Sequence, residues 1–278
     1  MNLRQTSAED RASVEGLIAS APWSHAHLDW LDPISLTNKE PFLLAAADGI
    51  PVGLLGCPPD LPGSTWLRSF AVAAGSDLQE IWDALWKAAV SQLQEMKVSH
   101  VAAISLEDWF AGLIKIAGFD RTNSVIFYER ELDPDLPLIH ETPHKIRSIR
   151  PADTESILEL DRLAFDSIWQ LSSDSLAVAM IQASSSSLIE DQGKVLGYQI
   201  TTSSPFGAHL ARLAVKPSHQ REGLGTALVA DAIEGVRDFG LGQLSVNTQE
   251  DNTSGRILYE KLGFRATGKE FPVFEIEL

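Results

Sequence analysis

The hydrophobic positions of this chain follow two spacings, that of a helix and that of a strand. Between Leu78 and Leu93 the apolar residues recur at helical spacing, which predicts an amphipathic helix. Apolar runs at 41–47 and 50–55 flank Asp48-Gly49, a dipeptide typical of a β-hairpin turn. Further strands are predicted at 66–72, 98–104 and 124–131, and a short helix at 109–116.

A polar, proline-rich stretch at 134–144 is the predicted linker, and after it the pattern begins again. Two stretches are predicted to be irregular: 21–33, which is rich in Trp and His, and the serine run 184–187. The remaining elements alternate, with strands predicted at 145–150, 188–190, 195–201, 210–215, 241–247 and 271–278, and helices at 153–165, 171–183, 226–236 and 253–262.

Short motifs occur once in each half of the chain, in the same order. The matching segments are 49–53 with 193–197, 67–72 with 210–215, and 116–119 with 261–264. Agreement in order and spacing predicts a duplicated mixed α/β domain, with one copy at 1–133 and the other at 145–278, joined by the linker at 134–144. Two unrelated domains with coincidental glycines are the alternative.

The strand predicted at 210–215 leads into a glycine-containing turn and a helix. Small residues at a helix start leave several backbone N–H groups aimed at one place, at the positive end of the helix dipole, which is typical of a phosphate site. The turn lacks the lysine of a Walker motif, and Leu228 stands where a dinucleotide fingerprint needs a third glycine. An ordinary β-to-α turn is the alternative.

The corresponding turn of the first half, residues 73–78, differs from it. It keeps one glycine, Gly75, and places Asp77 at the start of the helix. A carboxylate at that point repels a phosphate and competes with it for the same N–H groups. The sequence therefore predicts that the second half alone binds phosphate.

Composition bears on the compartment and the partners. The chain has 278 residues, a single cysteine, Cys57, and a formal net charge of −16. The lone cysteine and the lack of an apolar signal core lead us to expect a cytoplasmic protein that does not enter a membrane. The acidic charge disfavours binding to nucleic acid and is weakly consistent with a cationic substrate. His25 and His27 have no further metal ligands near them in the sequence, so no metal site is predicted.

A second motif is more specific than the glycine turn. Residues 252–264 resemble the Asn-x-x-Ala/Ser-x-x-Leu-Tyr-Glu-Lys-x-Gly-Phe segment of GNAT N-acetyltransferases, with Gly255 where alanine is usual. Residues 220–225 resemble the Gln/Arg-x-x-Gly-x-Gly/Ala pyrophosphate loop of that superfamily. The resemblance covers 145–278 well and 1–131 only by architecture. It implies a mixed α/β fold of two tandem GNAT-like domains, each a twisted mixed sheet flanked by helices, with a degenerate first copy.

The resemblance implies transfer of an acetyl group from acetyl-CoA to a primary amine of a small molecule or peptide. Tyr259 matches the general acid that protonates the leaving thiolate, and Ile114 stands at that place in the first half. A core aromatic is the alternative for Tyr259. Trp169 lies where the acceptor pocket is often shaped. The residues implied to bind acetyl-CoA are Leu213, Ala214, Val215, Gln220, Arg221, Glu222, Gly223, Leu224, Gly225, Thr226, Asn247 and Asn252.

One departure from the family concerns the general base. Many members carry a glutamate in the strand before the loop, whereas residues 209–213 here include no carboxylate. His209, Glu190, a residue of the first half, or an amine that arrives neutral are the alternatives. A non-catalytic acyl-CoA sensor or scaffold is the rival function. A longer acyl chain stays open, as does the choice between monomer and homodimer.

Overall fold

A computed structural model describes residues 1–28, 30–133 and 142–278. The chain forms two compact units, which we call unit 1 (Met1–Asn123 with Phe271–Leu278) and unit 2 (Ser124–Glu270). Most of the predicted linker, residues 134–141, lies outside the described residues. The sequence-based domains 1–133 and 145–278 stay a prediction about the repeat, because the compact units group two strands differently.

Unit 1 contains a five-stranded sheet in the order β1-β3-β4-β6-β2 and a second group of strands in which β7 pairs with β5 and with the end of the chain. Its elements are β1 (Asn2–Gln5), α1 (Arg11–Ser20), β2 (Trp23–Ala26), β3 (Phe42–Ala47), β4 (Ile50–Gly56), β5 (Ser64–Trp66), β6 (Ser69–Val72), α2 (Leu78–Glu95), β7 (His100–Ile104) and α3 (Asp108–Ile116). A long strand, β8 (Asp120–Glu131), begins in unit 1 and continues into unit 2.

Unit 2 has its strands in the order β8-β13-β12-β11-β10-β9. Only β12 and β13 pair in parallel among these described strands, and the other neighbours are antiparallel. Its further elements are β9 (Lys145–Ser148), α4 (Thr154–Ala164), α5 (Ser173–Gln182), β10 (Ala183–Asp191), β11 (Lys194–Ser204), β12 (Gly207–Val215), α6 (Leu224–Asp238), β13 (Gln243–Gln249), α7 (Thr253–Lys261) and β14 (Arg265–Glu277).

The last strand of each unit comes from the other half of the sequence. Residues 273–277 of β14 pair antiparallel with β7 in unit 1. Residues 125–131 of β8 pair antiparallel with β13 in unit 2. Each unit is therefore completed by a strand from the other half of the sequence, although the strands of unit 1 are divided between two sheets and those of unit 2 are not.

The two cores are built from different side chains. In unit 1, Phe70, Trp82 and Phe110 are fully buried, and the Phe70 and Trp82 rings meet edge to face with centroids 5.1 Å apart. In unit 2, α6 lays a buried aliphatic face that includes Leu228 and Ile233 against the sheet. The helical spacing that predicted α2 and α6 is thus confirmed as core packing.

The structure corrects two predictions of irregular chain. Residues 23–26, inside the supposedly irregular stretch 21–33, form strand β2. The serine run 184–187 belongs to β10, where Ser187 donates a hydrogen bond to Asp231 and Ser184 to the carbonyl of Thr201. Both strands were missed because they carry many polar side chains, whereas strand prediction relies on apolar or alternating residues.

Candidate functional site

Strands β12 and β13 diverge in the middle of unit 2. They pair in parallel over 208–210 and 244–246, and β12 then continues to Val215 and β13 to Gln249. A β-bulge at the same level of β12 inserts one extra residue, since Ile200 pairs with Arg212 and Thr201 with Leu210. The result is a V-shaped cleft whose apex lies at Leu210 and Val246.

One edge of β12 is open along this cleft. The N–H of Lys216 bonds to the carbonyl of Leu196 at 2.8 Å, so this pair is hydrogen-bonded. In an antiparallel ladder such pairs alternate along the strand, and Ala214 therefore turns its backbone groups toward β11. The backbone groups of Leu213 and Val215 face the other way, into the cleft. Of the three residues singled out in the sequence, Leu213 and Val215 thus turn their backbone groups to the side on which a ligand would lie.

The predicted phosphate turn lies at the start of α6. Arg221 and Gly223 both adopt left-handed conformations, with φ of 67° and 86°, and Gly223 is the N-cap residue of α6. Gln220 donates a weak hydrogen bond to the carbonyl of Val215 at 3.4 Å, which holds the turn at the end of the open strand edge. The first N–H groups of α6 have no intrahelical acceptor by geometry, so the turn from Gln220 to Thr226 offers donors to an anion.

Helix α7 packs against the start of α6 through a glycine. A Cβ on Gly225 would lie 3.1 Å from Cδ2 of Leu258, so this position leaves little room for a side chain. Asn252 caps α7 by accepting from the N–H of Gly255 at 3.0 Å, and it donates to Oγ1 of Thr248 at 2.9 Å. A Cβ on Gly255 would lie 2.6 Å from Nδ2 of Asn252, so glycine leaves room for the capping side chain in this position. Asn252 thereby ties β13 to α7.

Tyr259 lies on α7 and is 5% exposed. Its ring contacts the rings of Phe264 and Tyr128, with centroids 5.7 and 6.2 Å apart. Burial raises the pKa of its hydroxyl well above the ordinary tyrosine value, so this group stays protonated. Tyr259 is therefore a core aromatic whose hydroxyl keeps its proton.

Residues 209–213 of β12 include no carboxylate, but Asp161 of α4 places one beside this strand. Asp161 is fully buried and accepts from Nε and Nη2 of Arg212, at 2.9 and 2.6 Å. It also accepts from the hydroxyl of Tyr198 and from the N–H of Leu171. Arg212 donates to the carbonyl of Trp169 at 2.8 Å, so Trp169 is joined to the bulged strand through its backbone. With its lone pairs engaged, Asp161 orients Arg212 and is poorly suited to serve as a base.

His209 lies on β12 beside the apex of the cleft. Its Nδ1 is 2.9 Å from Oγ of Ser245, and that hydroxyl donates its single proton to the carbonyl of Ala208 at 3.1 Å. With Ser245 donating to Ala208, we assign the ring hydrogen to Nδ1, which leaves Nε2 as the proton acceptor. Burial lowers the pKa of His209, while the side chain of Asn247 partly offsets this effect. His209 is thus a neutral imidazole at neutral pH.

Glu190 is less suited to be the base. It accepts from Arg147 at 2.8 Å on β9, and Lys145 lies 3.5 Å away. The hydrogen bond from Arg147 lowers the pKa of Glu190, which weakens it as a proton acceptor.

Unit 1 closes the corresponding strand edge with its own chain. Strand β6 pairs with β4 as β12 pairs with β11, and on its other edge it pairs antiparallel with β2. The hydrogen bonds from Ala73 N to Val52 O and from His27 N to Arg68 O fix the alternation, so that Phe70 and Val72 turn their backbone groups toward β2. In the sequence repeat these two residues correspond to Leu213 and Val215.

Aromatic residues of α3 hold β2 in this place. The ring of His25 stacks on Phe110 at 3.8 Å, and Trp23 contacts Trp109 edge to face at 5.4 Å. His25 is buried, which lowers its pKa to about 4. His25 and His27, which lie in the stretch predicted to be irregular, are therefore parts of a packed strand end.

Sequence reasoning also missed a clamp that occurs in both units. Arg4 contacts Asp10 through two hydrogen bonds in unit 1, and Arg147 contacts Asp153 in the same way in unit 2. Each aspartate also accepts from the backbone N–H three residues before it. The signal was an Arg within the first strand of each half, followed at equal spacing by an Asp after that strand.

Two further properties of the described residues concern partners. No helix among them is long and apolar enough to cross a membrane. Within the ranges 1–28, 30–133 and 142–278, no three His, Cys, Asp or Glu side chains are grouped so as to hold a metal ion.

Residues 154–264 match the acetyltransferase (GNAT) family. The chain is 34% identical over 76 residues to the [ribosomal protein bS18]-alanine N-acetyltransferase of Escherichia coli, covering 27% of this chain and 51% of that protein. It is 37% identical over 82 residues to mycothiol acetyltransferase of Pseudarthrobacter chlorophenolicus, covering 27% and 25%. The chain thus spans about half the length of the first of these relatives and a quarter of the second.

Solved structures with the same fold extend over nearly the whole chain. A tandem GNAT protein from the clavulanic acid biosynthesis pathway gives a TM-score of 0.69 at 16% identity, covering 99% of this chain and 98% of that one. A probable N-acyltransferase from Enterococcus faecalis gives 0.71 at 13% identity, covering 99% and 72%. Residues 154–264 therefore form a domain of the GNAT acetyltransferase family, and the fold seen in a tandem GNAT protein extends over nearly the whole chain.

Proposed function

We propose that the protein is an acetyl-CoA-dependent N-acetyltransferase and that unit 2 carries its active site. The observation that supports this most directly is the open edge of β12, where Leu213 and Val215 present backbone groups beside the donor-rich turn at 220–226. A chain of amides ending in a pyrophosphate is complementary to such an edge and turn. The thioester of acetyl-CoA supplies the acetyl group, and the acceptor is a primary amine of a small molecule or peptide.

The roles of the side chains follow from their positions. His209, beside the apex, takes the proton from the acceptor ammonium through Nε2, since its Nδ1 is occupied by Ser245. Tyr259 keeps its proton and gives it to the leaving thiolate. Asn252 positions α7 by its contacts to Thr248 and Gly255, and Asn247 orients the imidazole.

Gly225→Glu is the variant that tests this assignment. The added carboxylate enters the tight contact with Leu258 and opposes an anion at the turn, so we expect calorimetry to detect no CoA binding. Gly16→Glu is the matched control, because nothing lies within 4 Å of a Cβ at that position in α1. Both variants are first shown to be folded by circular dichroism. Unchanged CoA affinity in folded Gly225→Glu would rule out the turn as the binding site.

A pH profile of kcat/KM tests the proton acceptor. Because its pKa is lowered, His209 becomes protonated only below the ordinary histidine pKa of about 6.5, and it can then no longer accept a proton. We therefore expect kcat/KM to fall as the pH is lowered below that value. His209→Gln should abolish this fall in kcat/KM at acid pH while CoA still binds. CoA binding without release of free CoA in the presence of amines would favour the non-catalytic sensor instead.

A further inference from the structure

A row of polar side chains crosses three strands of unit 2 on the face opposite α6. His209 on β12 pairs with Ser245 on β13, and Ser245 pairs with Glu129 on β8. Residues directly opposite each other point to the same face of a sheet. The neighbours of this row, Tyr128 and Val246, belong instead to the core that α6 covers. The row therefore lies on the face that carries His209.

This row forms the floor of an open depression beside the apex of the cleft. Glu129, His209, Gln243 and Ser245 line it together with the β11–β12 hairpin. Gln243 donates to Oε2 of Glu129 at 3.3 Å and so orients the carboxylate. No lysine or arginine lines this depression among the described residues. Its one full charge is thus negative.

We propose that Glu129 binds a second ammonium group of the acceptor, so that the preferred substrate is a short aliphatic diamine. The proposal rests on the acetyltransferase function proposed above and names the substrate class of the same site. An ammonium next to a half-buried carboxylate forms a charge-assisted hydrogen bond, which a neutral or anionic acceptor cannot make. Strand β12 has no acidic side chain at this place. Strand β8, which belongs to the first half of the sequence, supplies one instead.

The spacing of the strands sets the length of the acceptor. The reacting amine enters at the apex, midway between β12 and β13, while Glu129 is on the next strand beyond β13. One and a half strand spacings separate these two places, roughly 7 Å. An extended four-carbon diamine spans that distance. Phe206, 92% exposed at the hairpin that borders the depression, offers an apolar surface to the methylene chain.

The test compares 1,4-diaminobutane with n-butylamine by calorimetry, with and without CoA, so that no turnover is needed. We expect the diamine to bind about tenfold more tightly than the monoamine, and Glu129→Gln to remove this difference while butylamine binding is unchanged. Asp238→Asn is the control, since it changes the net charge equally at an exposed position on α6, on the opposite face. This control should keep the preference.

The outcomes separate the two proposals. Equal binding of both amines to the wild type, or a diamine preference that survives Glu129→Gln, overturns the acceptor site. A Glu129-dependent preference without any CoA binding overturns the acetyltransferase assignment and leaves the diamine site standing. Loss of the preference in Asp238→Asn as well would show a general charge effect, which also overturns the assignment to Glu129.

Discussion

Strands β6 and β12 occupy corresponding positions in units 1 and 2, but the outer edge of β6 is paired with another strand, whereas that of β12 faces a cleft. In unit 2 the edge of β12 beyond Leu210 faces a cleft. In unit 1 the edge of β6 is filled along its length by β2, from Trp23 to Ala26. The backbone positions that would hold a ligand in one unit are satisfied by protein in the other. A copy of a binding domain can thus lose its ligand by pairing its own strand into the site.

The helices that follow β6 and β12 also differ at their N-termini, and this difference likewise favours an anion in unit 2 over unit 1. In unit 1 the carboxylate of Asp77 accepts from the N–H of Glu80 at 2.8 Å and caps α2. In unit 2 the N-cap is Gly223, which has no side chain to do this. A capping carboxylate uses a donor that an anion would need and adds a negative charge beside it. The cap and the strand pairing thus each disfavour a phosphate-bearing ligand in unit 1.

The features that the two units share are those that stabilise the fold. The Arg4–Asp10 and Arg147–Asp153 clamps fix the first strand to the first helix in each unit. In both units the strand that precedes the glycine-containing turn pairs antiparallel with the second strand of the preceding hairpin, β4 in unit 1 and β11 in unit 2. The clamp and this pairing are thus common to both units, whereas the outer edge of the strand differs.

Amide hydrogen exchange should show the largest difference between the two strand edges. The N–H groups of Phe70 and Val72 bond to β2, so they exchange only when the structure opens, whereas those of Leu213 and Val215 face the cleft. Without ligand, we expect exchange to be slower at the unit 1 positions by about 10³-fold or more. Among these four positions, saturating CoA should slow exchange at Leu213 and Val215 and leave Phe70 and Val72 unchanged. NMR or mass spectrometry with fragmentation can measure both effects.

The neighbouring alanines serve as internal controls for this experiment. Ala71 and Ala214 turn their N–H groups toward β4 and β11, so both should be protected with or without CoA. Equal protection of Leu213 and Phe70 in the ligand-free protein would contradict the proposed difference between the edges.

Much of the frame could be predicted from the sequence, because it rests on local patterns. The spacing of apolar residues from Leu78 to Leu93 fixes one face of α2, and Asp48-Gly49 encodes its hairpin. The glycine turn and the segment 252–264 identify the family, since the first needs particular backbone angles and the second a cap and a tight helix contact. These features depend on residues close together in the chain.

The features that the sequence did not reveal depend on distant pairings. Strand β2 is polar and short, and it exists as a strand because β6 offers it an edge. Asp161 gives no sign in the sequence that it would meet Arg212 and Tyr198. Glu129 belongs to the first half of the chain, and only the pairing of β8 with β13 brings it to His209. Such contacts follow from topology rather than from local propensity.

Tyr259→Phe tests whether α7 and α3 differ in chemistry as well as in sequence. Unit 1 has the fully buried Ile114 at the equivalent place, which has no proton to give. We expect kcat to fall by about 10²-fold, because the thiolate leaves without a general acid, while CoA affinity measured by calorimetry stays the same. A free-CoA release assay follows the turnover.

Tyr128→Phe is the matched control for this variant. Tyr128 is also buried in unit 2, but its hydroxyl is 3.3 Å from both Glu260 and Arg256, in a structural contact. Its removal should leave kcat within about twofold, since hydrogen bonds of this length contribute little. Equal losses of turnover in the two variants would indicate that both tyrosines act through packing.

The smallest effect concerns the clamps that the two units have in common. Asp153→Asn weakens the contact with Arg147, and for this partly exposed pair we expect a loss of about 1 kcal/mol in the free energy of unfolding at pH 7. Its pKa in the folded protein is lowered, chiefly by the hydrogen bond from Arg147, so the stabilisation is present above the unfolded value of about 4 and lost as the pH falls through the lower folded value. Urea unfolding followed by circular dichroism should therefore show the full difference at pH 7 and a progressively smaller one as the pH is lowered below about 4. Asp10→Asn in unit 1 should behave alike, because Arg4 lowers the pKa of Asp10 in the same manner. A loss in one variant only would show that the clamp, like the cleft, has diverged between the units.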